Sequence, residues 1–261
     1  MQRQRVILVT VVVLAVVSVT VLGLAIYPLS ELQPRQPEAS FEIPEEESFA
    51  INASIVTDGK VSLSVEGTVS DDGAYMRTVQ PDAIEERYRS DKTGEKEYVR
   101  RVVSSEDAPA IRSMIDQHDR EKLVNESSEG DTVAFVSRID APSTSIEERL
   151  TSGASVVLTQ LRLAQYEPRE HTAGTIEPRS GWYGGGDPYR LIDAEGSIEL
   201  EPGTAVLTSA MVEWTLVTNT DSYLHYLVQR GTAMDQVIRY EYVAQEDVDP
   251  EIGEPPWLPE G

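Results

Sequence analysis

The chain of 261 residues contains no cysteine, which excludes a disulfide framework, a thiolate metal site and the lipid-bearing cysteine of a bacterial-type lipoprotein. Lysine is almost as scarce: Lys60, Lys92, Lys96 and Lys122 are the only four, and no stretch offers the basic stripe that a phosphate backbone needs. Nucleic acid is therefore not an expected partner. The three histidines, His118, His171 and His225, lack the paired spacing of a metalloprotease helix, so a zinc site would need carboxylates gathered from distant strands. No Gly-x-Ser-x-Gly elbow and no Ser-x-x-Lys pattern is present. Gly184-Gly185-Gly186 lacks the following Lys-Ser/Thr of a phosphate loop and reads as a turn. The acidic pairs Asp71-Asp72, Glu85-Glu86 and Glu147-Glu148 lack the calcium-loop pattern and read as a solvated surface. No catalytic residue, metal or cofactor is expected, and the chain reads as something other than an enzyme.

What is abundant is negative charge. The formal net charge is −23, and once Arg3 and Arg5 at the N-terminus are set apart, 20 basic residues face 45 acidic ones. Such a surface repels itself at low salt and is screened at high salt. In this the composition resembles that of proteins from halophilic archaea.

Residues 6–27 hold nothing more polar than Thr and Ser, a run long enough to cross a hydrocarbon core of about 30 Å as a helix. A cleaved signal would have an apolar region of only about 7–15 residues before a small-x-small site. Here the bulky Ile26-Tyr27-Pro28 follows instead. Arg3 and Arg5 precede the run and the next base is Arg35, which places the N-terminus in the cytoplasm and the rest outside. The expected organisation is a cytoplasmic tail (1–5), a transmembrane helix (6–28), a Pro/Glu-rich stalk (29–47), an extracytoplasmic domain (48–245) and an acidic, proline-rich tail (246–261). Trp257 and Leu258 in that tail are able to fold back onto the body. Asn52 and Asn125 each begin an N-glycosylation triplet, consistent with an external domain.

Within the domain the leading pattern has period two. Val61, Leu63 and Val65 alternate with Ser62, Ser64 and Glu66, a strand with one buried face. Asp58-Gly59 and Asp71-Asp72-Gly73 are turn chemistry that joins it in hairpins to 51–56 and 74–79. Further strand-like pieces lie at 87–89, 98–103, 121–125 and 132–139. A short helix is expected over 109–117, with Asp107 as its N-cap and Pro109 in its first turn. Ser145 and Glu148 form a capping box that opens a longer amphipathic helix. Its apolar residues Ile146, Leu150, Ala154, Val157, Leu158, Leu161 and Ala164 share one face up to Pro168. A wet loop over 174–187 leads to a second meander over 189–200, 205–217, 223–230 and 234–244, whose apolar positions make matching faces. The fold class expected from this pattern is α+β: an antiparallel sheet with helices on one face.

The strand-helix-strand order, the segments Ala74-Tyr75-Met76-Arg77 and Glu97-Tyr98-Val99-Arg100, and Tyr240-Glu241-Tyr242 followed by Pro255-Pro256-Trp257 resemble the LolA/LppX-type half-barrels, and more closely their membrane-attached haloarchaeal relatives. The resemblance covers residues 45–258 and departs from the lipoprotein members in having a helical anchor and no cysteine. It implies a strongly curved antiparallel half-barrel with helices covering the concave face, and an apolar cavity able to hold an acyl chain. Leu150, Val157, Leu158, Leu161, Trp214, Leu224, Tyr226 and Tyr240 are the expected lining. The expected function is then a membrane-anchored, non-catalytic module that holds a lipid or other apolar ligand outside the cytoplasm. The alternative is a structural or protein-interaction component of the cell envelope with a solid core. An enzyme acting on envelope polymers through a carboxylate pair is the third reading, with no pair that stands out from the acidic background.

Overall fold

The structure is a computed structural model that describes residues 18, 20, 40–43, 48–91, 94–170, 172–184, 189–218, 226–228, 235–246 and 252–258. Its strands are β1 (Phe49–Thr57), β2 (Lys60–Ser70), β3 (Gly73–Gln80), β4 (Ala83–Arg89), β5 (Lys96–Ser104), β6 (Glu121–Glu129), β7 (Thr132–Asp140), β8 (Gln165–Pro168), β9 (Thr175–Arg179), β10 (Gly181–Tyr183), β11 (Tyr189–Leu200), β12 (Leu207–Val217) and β13 (Asp235–Glu246). The helices are α1 (Ala108–Gln117) and α2 (Ile146–Leu161).

All thirteen strands belong to one open antiparallel sheet, in the order β6-β7-β5-β4-β3-β2-β1-β13-β12-β11-β9-β8, with β10 on β11. The expected α+β half-barrel is corrected by this count: the described chain is mostly strand, in a single open sheet with two short helices upon it. The two chain halves join where β1 pairs with β13, so the first and last strands are neighbours near the middle. Among the described residues no helix is long and apolar enough to cross a membrane. The span expected over 6–28 lies outside the described residues except for Ser18 and Thr20, both helical.

The hairpin turns follow from local chemistry. Asp58 and Gly59 take φ of 51° and 75°, a left-handed pair that suits a two-residue loop. Asp58 also ties this turn to β13, its Oδ1 accepting the Val237 amide at 3.0 Å. At α2 the capping box forms as the spacing predicts: the Glu148 amide donates to Ser145 Oγ and the Ser145 amide donates to the Glu148 carboxylate, both at 3.1 Å. At α1 Asp107 makes no side-chain cap; its carboxylate instead accepts the Ser104 hydroxyl at 2.7 Å, in the turn before the helix.

Pairing registers divide the sheet into an inner face, toward both helices, and an outer face. Val65, Val69, Ala53, Ile51, Tyr240, Tyr242, Val212 and Trp214 point inward in register. Leu150, Ala154, Val157, Leu158 and Leu161 of α2 close over them, all at most 2% exposed. Gly153 permits this approach, since a Cβ there would sit 3.0 Å from both Val65 methyls. A smaller core under α1 joins Ile115 to Val103, Val133 and Phe135.

A one-residue bulge in β11, between Ile192 and Glu195, switches the alternation and turns Ile192 to the outer face. There it packs with Trp182, Val217 and Tyr226, and the Arg190 guanidinium stands 4.5 Å from the Trp182 ring centre and 4.7 Å from that of Tyr226. The strand expected over 223–230 is not what forms: its described part, 226–228, is helical. The expected loop over 174–187 instead contains β9 and β10. Part of the expected stalk also packs. Phe41 is buried edge-on against Tyr166, Glu42 bridges in parallel to Val206, and Arg162 donates to the Phe41 carbonyl at 2.7 Å.

Both sheet edges are protected. The edge strand β6 carries Glu121, Lys122, Glu126 and Glu129 and is interrupted by a bulge between Leu123 and Asn125. At the other edge β8 has four residues and ends at Pro168.

Buried tyrosines make the fold sensitive to alkali. Burial, and then Tyr183, push Tyr189 up to about 12, and burial also raises Tyr166, Tyr240 and Tyr242. The folded chain holds these protons more tightly than the unfolded one, so their contribution is complete below pH about 10 and is lost as pH rises toward 12 and beyond. Titration followed at 295 nm should show these phenols ionising together with unfolding, above the pH at which exposed tyrosines titrate. Ionisation of all tyrosines near pH 10 with the fold intact would contradict this.

Candidate functional site

The expected cavity lining is for the most part core. Leu150, Val157, Leu158, Leu161, Trp214 and Tyr240 are all at most 2% exposed and pack together in the main core. Tyr226 belongs to the separate outer cluster, and Leu224 lies outside the described residues. The structure thus brings together six of the eight and separates Tyr226 from them. The glycosylation candidates are both exposed, Asn52 on the outer face of β1 and Asn125 on edge strand β6.

Space opens elsewhere on the inner face, in the cleft between α1 and α2. Against the flank of α2 lies a cavity of about 580 Å³, lined in part by Leu63, Val65, Met76 and Val156. Beside it, a cavity of about 280 Å³ is floored by Thr78, Ala83, Glu85 and Val103 and walled by Ile111 and Met114 of α1. A third, of about 540 Å³, brings together Arg87, Arg101, Arg120 and Arg149 with His118, Asp119 and Glu121. Neighbouring cavities share lining residues: Thr78, Gln80 and Glu85 between the first two, Arg101 and Met114 between the second and third, and Arg149 between the first and third. The cleft therefore runs from a more apolar end, where Leu63, Val65, Met76 and Val156 stand beside Glu85, Glu148 and Arg149, to a guanidinium-rich end.

That second end rests on a buried charge network. Arg87 donates to Glu85 at 2.7 Å and to Glu97, which is 0% exposed. Arg101 donates to Glu85 at 3.0 Å, to Glu121 and to Ser137 Oγ at 3.3 Å, and the Ser137 hydroxyl donates to Glu121 at 2.5 Å. Burial works to raise the Glu85 carboxyl, but Arg87 and then Arg101 outweigh it and hold the group below the usual carboxylate range. Arg149 differs from these arginines. Its Nε is buried and meets no acceptor among the described residues, while burial and then the charge of Arg87 lower its pKa. Arg120, exposed on the turn after α1, reaches only the Ala141 carbonyl at 3.3 Å.

The four arginines were not legible as a site because they come from β4, β5, the turn after α1 and α2, which are far apart in the chain. One signal was present: Glu85, Arg87 and Arg89 occupy alternate positions of β4 on the face that in β1, β2, β12 and β13 is apolar. Charges repeated at period two on a core face mark an internal ion network.

A further cavity of about 640 Å³ lies on the outer face, where 252–258 crosses Thr68, Tyr75, Glu86 and Arg100. The tail does fold back, with Pro255 buried and Trp257 half-buried. One wall of this cavity is an irregular terminal segment. The inner cleft is walled by two helices and floored by strands, the more rigid frame for a site. Among the described residues no three His, Asp or Glu side chains converge to hold a metal ion. No family model, curated protein or solved structure matches the chain.

Proposed function

We propose that the chain is a non-catalytic binding module that holds an elongated, partly apolar ligand of the lipid class in the cleft between α1 and α2. The observation that carries the proposal is the cleft itself. Its cavities of about 580, 280 and 540 Å³ fall in or near the range of ligand pockets, and one end is lined in part by Leu63, Val65, Met76 and Val156. A lipid is also what the resemblance to LolA/LppX-type proteins implies. The location differs from the one that resemblance suggested, because side chains fill the space beneath α2. In this reading no bond is made or broken, and the domain works outside the cytoplasm, held at the cell membrane by its N-terminal apolar segment.

Native mass spectrometry of the full chain, released from the membrane of a haloarchaeal host and paired with solvent extraction, tests the proposal. A stoichiometric lipid is expected, and Val156→Glu should reduce its retention about tenfold or more by placing a charge at the apolar end. Val156 is 45% exposed, so the fold should survive. A clean apo mass that stays clean after incubation with host lipids would sink the proposal. It would favour the second reading, an envelope interaction protein, which the exposed Met211, Val237 and Val243 on the outer face of β12 and β13 support.

A further inference from the structure

Two guanidinium groups at the polar end of the cleft form no salt bridge with the network beneath them. Arg87 and Arg101 are engaged by Glu85, Glu97 and Glu121. Arg149, projecting from the second turn of α2, has no carboxylate within salt-bridge distance among the described residues, and its buried Nε makes no hydrogen bond. Arg120 enters the same cavity from the turn between α1 and β6, with only a 3.3 Å contact to a carbonyl. The carboxylates facing this space are Asp119 and Glu121, and Glu121 is already bonded to Arg101 and Ser137. Glu97 and Glu85 act on Arg149 from the network beneath, but burial and the charge of Arg87 outweigh them. A half-buried cation with no carboxylate in contact is costly, and the cost is reduced when an anion with several acceptor oxygens enters. Guanidinium groups suit a phosphate group in this role, because their planar donors engage two oxygens at once.

We infer that the arginine-lined end of the cleft receives a phosphate-type anionic group, held by Arg149 and Arg120, while the chain attached to it runs toward Leu63, Met76 and Val156. The inference rests on the binding reading above and narrows it from a lipid-class ligand to an anionic amphiphile. A net charge of −23 makes the choice of an anion notable: the surface as a whole repels such a ligand, and strong salt that screens this repulsion leaves a half-buried pair less affected. The carboxylates elsewhere then act against anions that do not fit the cleft.

The test is calorimetric titration of the full chain in phosphatidylcholine nanodiscs, with empty nanodiscs subtracted, using octyl phosphate, octyl glucoside and inorganic phosphate as probes. Octyl phosphate is expected to bind about tenfold or more tightly than octyl glucoside. Arg149→Gln and Arg120→Gln should each remove most of that preference, and Arg149→Lys should restore part of it. Arg120 is exposed, so its variant carries the test if Arg149→Gln does not fold. Equal binding of the two amphiphiles to the unaltered chain would overturn this inference and leave the cleft reading standing. Binding of inorganic phosphate that Arg149→Gln abolishes, with neither amphiphile bound, would support an anion site for free phosphate and overturn the cleft as a holder of apolar chains. No binding of any probe would overturn both.

Discussion

Trp214→Ala should lower the free energy of unfolding by about 3–5 kcal/mol, the range for removing a large aromatic from a filled core. Trp214 is 0% exposed, packs against Tyr240 with ring centres 4.8 Å apart and planes tilted by 49°, and pairs across β12 and β13 with Ile238. Its deletion would open a void bounded by residues of both strands and of the main core, which the surrounding sheet can close only in part. Denaturant titration at fixed high salt measures the change. The magnitude also discriminates between roles. A residue lining an open ligand cavity has neighbours on one side only, and its truncation costs about 1 kcal/mol. A loss that small would return Trp214 to the cavity-lining role first expected for it.

Glu97→Ala is the second large effect, expected at about 3 kcal/mol. Glu97 is fully buried and its Oε1 accepts from Arg87, so the substitution leaves a buried guanidinium with half of its counter-charge. Breaking one side of a buried pair costs about 3–5 kcal/mol, and the low end applies because Arg87 keeps Glu85 at 2.7 Å. Replacing both partners together, Arg87→Met with Glu97→Leu, should recover most of the loss, since neither charge then remains to be solvated. Glu85 would keep Arg101 at 3.0 Å. If the double substitution unfolds as readily as Glu97→Ala, the network contributes through coupling to Arg101 and Glu121 and not through the Arg87–Glu97 pair.

The parts of this fold that could be read from sequence are those set by neighbours in the chain. The Ser145/Glu148 box opens α2 where expected, β11 spans the expected 189–200, and the Val61-Leu63-Val65 alternation lies in β2. What escaped depends on distant partners. Leu224, Tyr226 and Val228 alternate as a strand would, but Tyr226 is drawn instead to Trp182 and Arg190, and the chain there is helical. Pro178 argues against a strand, yet β9 forms because β8 and β11 flank it. Phe41 was the one aromatic in a proline-rich stretch, with Ile43 two residues on, and that pair was the available sign that 40–43 would dock. The class was misjudged for a related reason: the capped helix α2 is conspicuous in a sequence, whereas β8, β9 and β10, of four, five and three residues, are individually faint.

The candidate site was less legible than the fold. The apolar stripe of α2 was identified correctly as a set, but a buried stripe is the same pattern whether it meets side chains or a ligand. The cleft depends instead on where α1 and α2 end up over the sheet, and that is decided by contacts far apart in the chain.

The protected edges of the sheet have a consequence for polymerisation. An open sheet ends in two rows of free amides and carbonyls, each a template on which a second chain can extend the ladder without limit. In dilute buffer the carboxylates on β6 keep copies apart, but near 1 M salt the Debye length shrinks to about 3 Å and that repulsion fades. The bulge at Leu123/Asn125 and the proline that closes β8 act by shape and by a missing donor, which salt does not alter. In brine, then, resistance to fibre formation passes from charge to backbone geometry, and straightening the bulge or replacing Pro168 would be tolerated in fresh water and punished by aggregation in strong salt.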